Sequence, residues 1–386
     1  MKILILNEAL EQRHHAHVER RCAVSSQTIA KLVKKGIEVY VEKGAGLLSH
    51  YKDEDFAEAG ASIVADITEI AKQVDILACV NTPRESIVEK LPAGTVVIGH
   101  LDPFFNEALV TKLAKANLTA LSVEMIPRTS RAQKMDALSS QASLAGYAMV
   151  MKAADTLPSI LPMMMTPSGT IKPAKVFIIG AGVAGLQAIA TAKRLGANVL
   201  AYDTRPVVAE QVESLGGKFL NVDIGETGQT KDGYAKELSD EQKALLAQAQ
   251  KEAIASSDIV ITTAQLFGRK PPVLISKETL ASMKPGSVVV DMAAVSGGNV
   301  EGSKPGETAV LNNVTIIGDG FWSEGVPRAA TDMYANNIYN LLDEFVKKAP
   351  IEFELTFEDD ILDAAVITHG GLIRNDMLLS AYEGAK

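Results

Sequence analysis

The chain has 386 residues, which at roughly 150 residues per domain predicts two to three domains. Its 38 basic and 47 acidic side chains give a formal net charge of −9 without a basic block, which argues against a nucleic-acid-binding protein. Two cysteines cannot form a disulfide framework, the apolar run 3–6 is too short for a signal peptide, and no run of about 18 apolar residues predicts a membrane span. We therefore expect a globular protein of the cytoplasm.

The N-terminal third of the chain alternates short β-rich apolar runs with helical patterns, as in a parallel α/β sheet. Between the first two runs, Ser25 can cap a helix that Gly36 ends, which completes one βαβ unit. The predicted strands are 3–6, 39–41, 76–80, 95–100 and 118–124.

A second series of apolar runs follows a segment, 127–165, that is rich in Ala, Ser and Met and predicts a helical connection. The strands predicted in this series are 176–180, 198–203, 258–263, 286–293 and 314–320. Beyond it, the sequence predicts an amphipathic helix with Ile338 and Phe345 on its apolar face, and then a strand at 353–357. We expect this C-terminal segment to return to the first domain.

The two series predict an α/β fold of two doubly wound, Rossmann-like parallel-sheet domains joined by helices. The first domain is expected at 1–130 plus 328–386, the helical connector at 131–165, and the dinucleotide-binding domain at 166–327.

A polar stretch at 223–237 contains three glycines and almost no apolar side chain, so it cannot form part of a core. Ser239 and Gln242 form a capping-box pattern that begins the next helix. The stretch is either an exposed surface loop or a lid with Tyr234 on its inner side.

Gly180, Gly182 and Gly185 have the GxGxxG spacing directly between a predicted strand and a predicted helix, which predicts a dinucleotide site. Asp203 ends the next strand, where its carboxylate can bind both hydroxyls of an adenosine ribose, so we expect NAD(H) rather than NADP(H). Arg205 weakens this preference because an arginine at this place can bind a 2′-phosphate. The first domain lacks such glycines, so we expect one NAD(H) per chain.

The segments 125–147, 180–197 and 210–219 resemble the alanine dehydrogenase and pyridine nucleotide transhydrogenase family, and the resemblance extends over nearly the whole chain. The similarity to the transhydrogenase branch implies hydride transfer between NAD(H) on this chain and NADP(H) on a partner subunit, coupled to proton translocation through a membrane-spanning subunit. It also implies a homodimer held at the inner face of the cytoplasmic membrane by its partners.

The resemblance implies a loop at the nicotinamide end, in which Arg128 and Asp136 can form an ion pair and the Gln133 carboxamide can orient the ring. Without the resemblance, these residues would be as typical of a purely structural role, as helix caps and a local ion pair, as of a nucleotide site. The implied catalytic residues are Arg128, Gln133, Asp136 and Ser139. The other implied nucleotide contacts are Thr129, Ser130, Val183, Thr204, Arg205, Gly233, Tyr234 and Gln265.

Alanine dehydrogenases of the same family would require an Arg, a Lys, a His and an Asp. Arg21 and His100 occupy two of these places, whereas Asn81 and Val295 replace the other two. Three hypotheses stay open: a transhydrogenase subunit, a free-standing amino-acid dehydrogenase, and a non-catalytic NAD(H) sensor.

Three histidines at 14, 15 and 17 lack carboxylates at metal-ligand spacing. We therefore expect a solvated loop there and no metal site.

Overall fold

The computed structural model of the chain describes residues 1–10, 17–222, 239–266 and 268–384. These residues form two compact units, one of 1–141 with 323–386 and one of 142–322. Each unit has its own sheet and its own hydrophobic core.

The N-terminal segment of the first unit alternates strands with helices, as the hydrophobic periodicity predicts. The Ser25 side chain accepts a hydrogen bond from the Thr28 backbone N–H, and this cap begins the first helix. The elements are β1 (Lys2–Ile5), α1 (Ser26–Lys34), β2 (Glu38–Glu42), α2 (Asp53–Glu58), β3 (Ser62–Val64), α3 (Thr68–Ala71), β4 (Ile76–Ala78), α4 (Glu85–Val88), β5 (Val96–Gly99), α5 (Glu107–Lys115) and β6 (Thr119–Ser122).

The second unit begins within a long helix and contains a small hairpin and a second sheet. The predicted capping box is confirmed, because Ser239 and Gln242 exchange hydrogen bonds at the start of a helix. The elements are α6 (Ala137–Thr156), β7 (Met164–Thr166), β8 (Gly169–Ile171), β9 (Lys175–Ile179), α7 (Val183–Arg194), β10 (Asn198–Tyr202), α8 (Ala209–Ser214), β11 (Lys218–Phe219), α9 (Asp240–Ser256), β12 (Ile259–Thr262), α10 (Lys277–Ala281), β13 (Val288–Asp291), β14 (Thr308–Leu311) and β15 (Val314–Ile317).

The C-terminal segment adds its strands to the sheet of the first unit. Its elements are α11 (Pro327–Phe345), α12 (Asp360–Ala365), β16 (Val366–His369), β17 (Leu372–Ile373) and α13 (Asp376–Gly384). The predicted strand at 353–357 is wrong, since only Phe353 makes an isolated bridge, to Val346. The apolar alternation there reflects packing on the core: the Phe353 ring lies 6.2 Å from that of Phe345, and the Phe357 ring lies under the Arg374 guanidinium.

Both sheets are doubly wound. The strand order is β17-β16-β6-β5-β4-β1-β2-β3 in the first unit and β11-β10-β9-β12-β13-β15-β14 in the second. Within each sheet neighbouring strands pair in parallel, except that β16 is antiparallel to both β6 and β17 and that β14 is antiparallel to β15. The predicted fold class is confirmed. In the second unit successive strands are added on one side of β9 up to β11 and then on its other side from β12 onward. The crevice at the carboxyl ends of β9 and β12, where this switch occurs, is where such folds bind ligands.

Candidate functional site

The glycine-rich turn joins β9 to α7 at that crevice. Gly180 has a φ of +102°, and a Cβ on it would stand 2.4 Å from Thr263 Oγ1. A Cβ on Gly185 would stand 1.9 Å from the Gly180 carbonyl oxygen. Both positions therefore require glycine, because a side chain would force α7 away from the strand. Gly182, which caps α7, has none of the described residues within 4 Å of its would-be Cβ apart from its chain neighbours, so its backbone is open to a ligand.

Gly146 supports the same turn from within α6, and it is not among the residues predicted from the sequence. A Cβ on this residue would stand 2.2 Å from the Ala184 carbonyl oxygen in the first turn of α7. The close approach of α6 to the start of α7 therefore depends on this glycine. A glycine inside a helical pattern is the signal that could have indicated the contact.

Asp203 follows β10, and its carboxylate already has two partners. Its Oδ2 accepts a hydrogen bond of 2.7 Å from the Ala181 backbone N–H, and Arg205 donates to both carboxylate oxygens at 2.9 and 3.0 Å. Burial acts to raise the pKa of Asp203, but the hydrogen bonds from Arg205 and Ala181 outweigh it and hold that pKa below its ordinary value. The acid is therefore ionised, and it ties the strand end to the glycine turn.

These features fit a dinucleotide. The start of α7 offers the N–H groups of its first turn and the positive end of its dipole to a pyrophosphate, and an ionised carboxylate lies at the end of the neighbouring strand. Val183, Thr204 and Arg205 are exposed beside this turn and acid, so the structure brings these predicted contacts together in one place.

The segment after β12 carries Gln265, which is exposed. Thr263 donates a 3.1 Å hydrogen bond to the Gly180 carbonyl oxygen, which fixes the segment to the glycine turn. The same segment is also held by the fully buried Asn299, whose amide donates to the carbonyl oxygens of Ala264 and Pro272 at 3.0 and 2.8 Å. Asn299 was not predicted, and it lies 34 residues beyond Gln265 in the sequence.

The remaining predicted site residues, which the resemblance places at the nicotinamide end, lie on a loop of the first unit between β6 and α6. Gln133 begins a 3-10 turn, Gln133–Met135, and buried Ala132 and Met135 hold that turn against the core. Arg128, Ser130 and Gln133 are exposed, whereas the Thr129 hydroxyl oxygen is buried without a partner among the described residues.

The predicted ion pair between Arg128 and Asp136 is wrong: both residues are described, and the structure has no ion pair between them. Asp136 instead caps α6: its carboxylate accepts 2.8 Å and 2.6 Å hydrogen bonds from the backbone N–H and the hydroxyl of Ser139. A carboxylate three residues before its partner at a helix start satisfies backbone donors that have no other acceptor. Capping therefore accounts for the orientation of Asp136 and leaves the Arg128 side chain in solvent.

A buried polar cluster in the first unit was not expected. The Arg21 guanidinium donates to both carboxylate oxygens of Glu19, at 2.8 and 2.9 Å. Its remaining nitrogen donates to Gln141 and Ser323 at 2.9 and 3.3 Å. Glu19 also accepts a hydrogen bond from the Asn81 amide. The side chains of Glu19 and Arg21 are 1% and 10% exposed, so this is a buried ion pair, and four of the five guanidinium N–H groups donate to these partners.

His100 lies at the end of β5, stacked on the Tyr334 ring with 5.5 Å between centroids. Burial, reinforced by the charge of Arg21, lowers the pKa of His100 to about 3. The imidazole is therefore neutral near pH 7 and is a weak base.

Several sequence predictions fall outside the described residues, namely Gly233, Tyr234, His14 and His15. The described ranges of the chain contain no group of three or more His, Cys, Asp or Glu side chains arranged to hold a metal ion. Among the described helices, none combines the length and the apolar character that crossing a membrane requires.

A doubly wound sheet with a glycine turn at its switch point and an ionised acid on the neighbouring strand defines a dinucleotide-binding protein of the Rossmann class. Two family models match the chain: "Alanine dehydrogenase/PNT, N-terminal domain" over residues 11–145 and the C-terminal domain of the same family over residues 149–376. The chain belongs to the alanine dehydrogenase/pyridine nucleotide transhydrogenase family, as the sequence predicts.

The curated relatives include polypeptides named as the first portion of NAD(P) transhydrogenase subunit alpha. That of Rhodospirillum rubrum is 41% identical over 92% of this chain and 94% of its own length. That of Rickettsia prowazekii is 38% identical over 99% and 98%. The alanine dehydrogenase of Halomonas elongata is more distant, at 29% identity over 74% of this chain and 72% of its own length.

Among solved structures, the transhydrogenase of Sinorhizobium meliloti matches with a TM-score of 0.85 and 41% identity, covering 97% of this chain and 100% of that one. An L-alanine dehydrogenase matches with a TM-score of 0.79, 22% identity and complete coverage of both chains, which demonstrates the shared fold alone.

Proposed function

We propose that the chain is the NAD(H)-binding subunit of a proton-translocating NAD(P) transhydrogenase. In this proposal the second unit binds NAD(H), and NADP(H) is bound by a partner subunit. The observation that carries the proposal is the Asp203 carboxylate, ionised and joined to the glycine turn, on a chain that matches transhydrogenase subunits along nearly its full length. A carboxylate at that position favours a ribose with a free 2′-hydroxyl and repels a 2′-phosphate.

The alternative function, a free-standing amino-acid dehydrogenase, is disfavoured by Arg21 and His100. Binding a substrate carboxylate requires free guanidinium donors, and Glu19, Gln141 and Ser323 use four of the five of Arg21. Deamination also requires a proton acceptor whose pKa lies near the working pH, and that of His100 is about 3. Hydride transfer between two nicotinamides has neither requirement.

The roles of the loop residues follow from this proposal. A bound nicotinamide supplies or accepts the hydride, and the protein contributes position and exclusion of water. We assign Gln133 and Arg128 to orienting the ring, and the Asp136–Ser139 cap to fixing the loop that carries them. Ser130 and the buried Thr129 hydroxyl are assigned to the ribose and phosphate of the same nucleotide, and Tyr234 to closing over it.

The proposal also covers the partner subunits and the division of the chain into domains. A membrane-spanning subunit would translocate the protons and hold this chain at the inner face of the cytoplasmic membrane. Residues 1–130 with 328–386 would form the domain without a dinucleotide, 131–165 the connector, and 166–327 the NAD(H)-binding domain.

Mixing experiments separate the three hypotheses. With NADH on this chain and NADP⁺ on a purified NADP(H)-binding subunit, we expect NADPH formation at a rate far above that of either component alone. Alanine with NAD⁺ should give no turnover. Turnover of alanine by this chain alone would support the dehydrogenase, and tight NADH binding without either reaction would support the sensor.

Replacing Gln133 by alanine is expected to slow hydride transfer by at least about tenfold while changing the NADH dissociation constant by less than about threefold, since an orienting contact acts on the rate. Single-turnover transfer and an NADH titration measure the two effects. Equal losses in both would make Gln133 an ordinary binding contact. Lys115→Ala, at an exposed position at the end of α5, is the control and should change neither.

The homodimer is proposed on the apolar surface of the β7–β8 hairpin. Met163, Met165 and Ile171 are 60%, 73% and 46% exposed, an unusual density of large apolar side chains in solvent. We expect the double substitution M165E/I171E to raise the dimer dissociation constant by at least about tenfold, because two charges would have to be desolvated. Sedimentation velocity measures the change. Val310→Glu, also 68% exposed but on β14, should leave the assembly unchanged; equal dissociation by this variant would remove the hairpin from the interface.

A further inference from the structure

We propose that Asn337 is a positioning residue for hydride transfer, acting through the loop that carries Gln133. This inference rests on the proposed function. Asn337 lies on α11 and is 8% exposed, and its side chain ties together both ends of the segment 134–140.

The two contacts of the Asn337 amide use both of its polar atoms. Its nitrogen donates a 3.0 Å hydrogen bond to the carbonyl oxygen of Lys134, the residue directly after Gln133. Its oxygen accepts a 2.7 Å hydrogen bond from the hydroxyl of Ser140, the residue directly after Ser139. One buried side chain therefore fixes the 3-10 turn that presents Gln133 relative to the first turn of α6.

Other contacts surround these two bonds. Asn340 donates to the same Lys134 carbonyl oxygen at 3.0 Å, and Arg131 pairs with Asp359 and Asp360 on the other side of the loop. The side chains of Arg131 and Asp360 are 42% and 60% exposed, and exposed ion pairs are screened by solvent and contribute little to stability. The Asn337 side chain is buried and its two bonds are partly buried, so they exchange with water less readily than the outer contacts.

A displacement of the turn would move Gln133, whereas the glycine turn and Asp203 belong to the second unit, which has its own core. Positioning errors of about 1 Å can reduce the rate of an enzyme by two orders of magnitude. NADH binding, which we assign mainly to the glycine turn and Asp203, should be far less affected. A split between the transfer rate and the NADH dissociation constant is therefore the expected signature of Asn337.

Three variants test the proposal: Asn337→Ala, Asn337→Asp and Asn336→Ala. The aspartate keeps the acceptor for Ser140 but lacks the donor to Lys134. Asn336 is the matched control, since its amide donates to the Asp332 carbonyl oxygen of its own helix. We expect both Asn337 variants to slow single-turnover transfer to partner-bound NADP⁺ by at least about tenfold at saturating NADH, with the dissociation constant within about threefold. Asn336→Ala should transfer at the wild-type rate.

A double-mutant cycle with Gln133→Ala tests whether Asn337 acts through Gln133. If it does, adding Asn337→Ala to Gln133→Ala slows transfer by much less than it slows the wild type, because both changes remove the same orientation. Wild-type rates in the Asn337 variants, equal losses in Asn336→Ala, or additive losses in the cycle would overturn the assignment of Asn337. Absence of transfer by the wild-type protein would instead overturn the proposed function, and the assignment of Asn337 with it.

Discussion

Replacing Glu19 by glutamine is expected to lower the free energy of unfolding by about 3 to 5 kcal/mol, the cost of removing one partner from a buried ion pair. The Arg21 guanidinium would keep its charge and lose its nearest carboxylate, that of Glu19 at 2.8 and 2.9 Å, with the more distant Glu324 left at 3.9 Å. With a side chain only 10% exposed, Arg21 cannot recover its hydration without local unfolding. Glutamine has nearly the same shape, so the loss would come from charge rather than from a cavity.

Denaturant unfolding, followed by far-ultraviolet circular dichroism, measures this loss in the transition of the first unit. Glu69→Gln is the matched control, because Glu69 pairs with Lys72 on the surface and its side chain is 76% exposed. The control should unfold as the wild type does. A Glu19→Gln protein as stable as that control would contradict the assignment of a buried, mutually dependent pair.

Replacing Asp203 by alanine is expected to weaken NADH binding by about 1.5 to 3 kcal/mol, the cost scale for losing charge-assisted hydrogen bonds. This corresponds to a rise of about 10- to 150-fold in the dissociation constant. Two effects combine: the ribose loses an ionised acceptor, and the Ala181 N–H of the glycine turn loses its 2.7 Å partner. Arg205 would also lose its ion pair and become free near the ribose.

Asp203→Asn separates these effects, because an amide oxygen can still accept from Ala181 while the charge is gone. We expect this variant to bind NADH with intermediate affinity. Asp258→Ala is the control, since that carboxylate directly precedes β12 and so lies at the amino ends of the strands, away from the glycine turn at their carboxyl ends. Isothermal titration calorimetry measures all three, and an unchanged dissociation constant for Asp203→Ala would remove this residue from the site.

The sequence was most informative where a local pattern has one physical solution. The spacing of Gly180, Gly182 and Gly185 after a strand leaves few alternatives to a strand–turn–helix, because two of these positions have no room for a side chain. The Ser239 capping box is likewise complete within four residues. The apolar alternation at 353–357 was misleading because it occurs equally in a segment that covers a core without pairing.

The buried groups of the first unit could not be predicted because their partners are distant in the sequence. Arg21 contacts Gln141 and Ser323, which follow it by 120 and 302 positions. Asn337 reaches Lys134 across 203 positions. Asp136 illustrates a competition that residue types alone do not resolve, since a carboxylate can form an ion pair or cap a helix, and the local backbone donors of α6 prevail.

Isotope transfer between the two nucleotides is the sharpest test of the proposed function. NADH with both C4 hydrogens of its nicotinamide replaced by deuterium is bound to this chain, and NADP⁺ is bound to the purified NADP(H)-binding subunit in ordinary water. Mass spectrometry of the two nucleotides after mixing should find one deuterium in each new NADPH, because the hydride passes directly between the rings. NADPH without deuterium, or no NADPH at all, would contradict the proposed transfer between this chain and its partner.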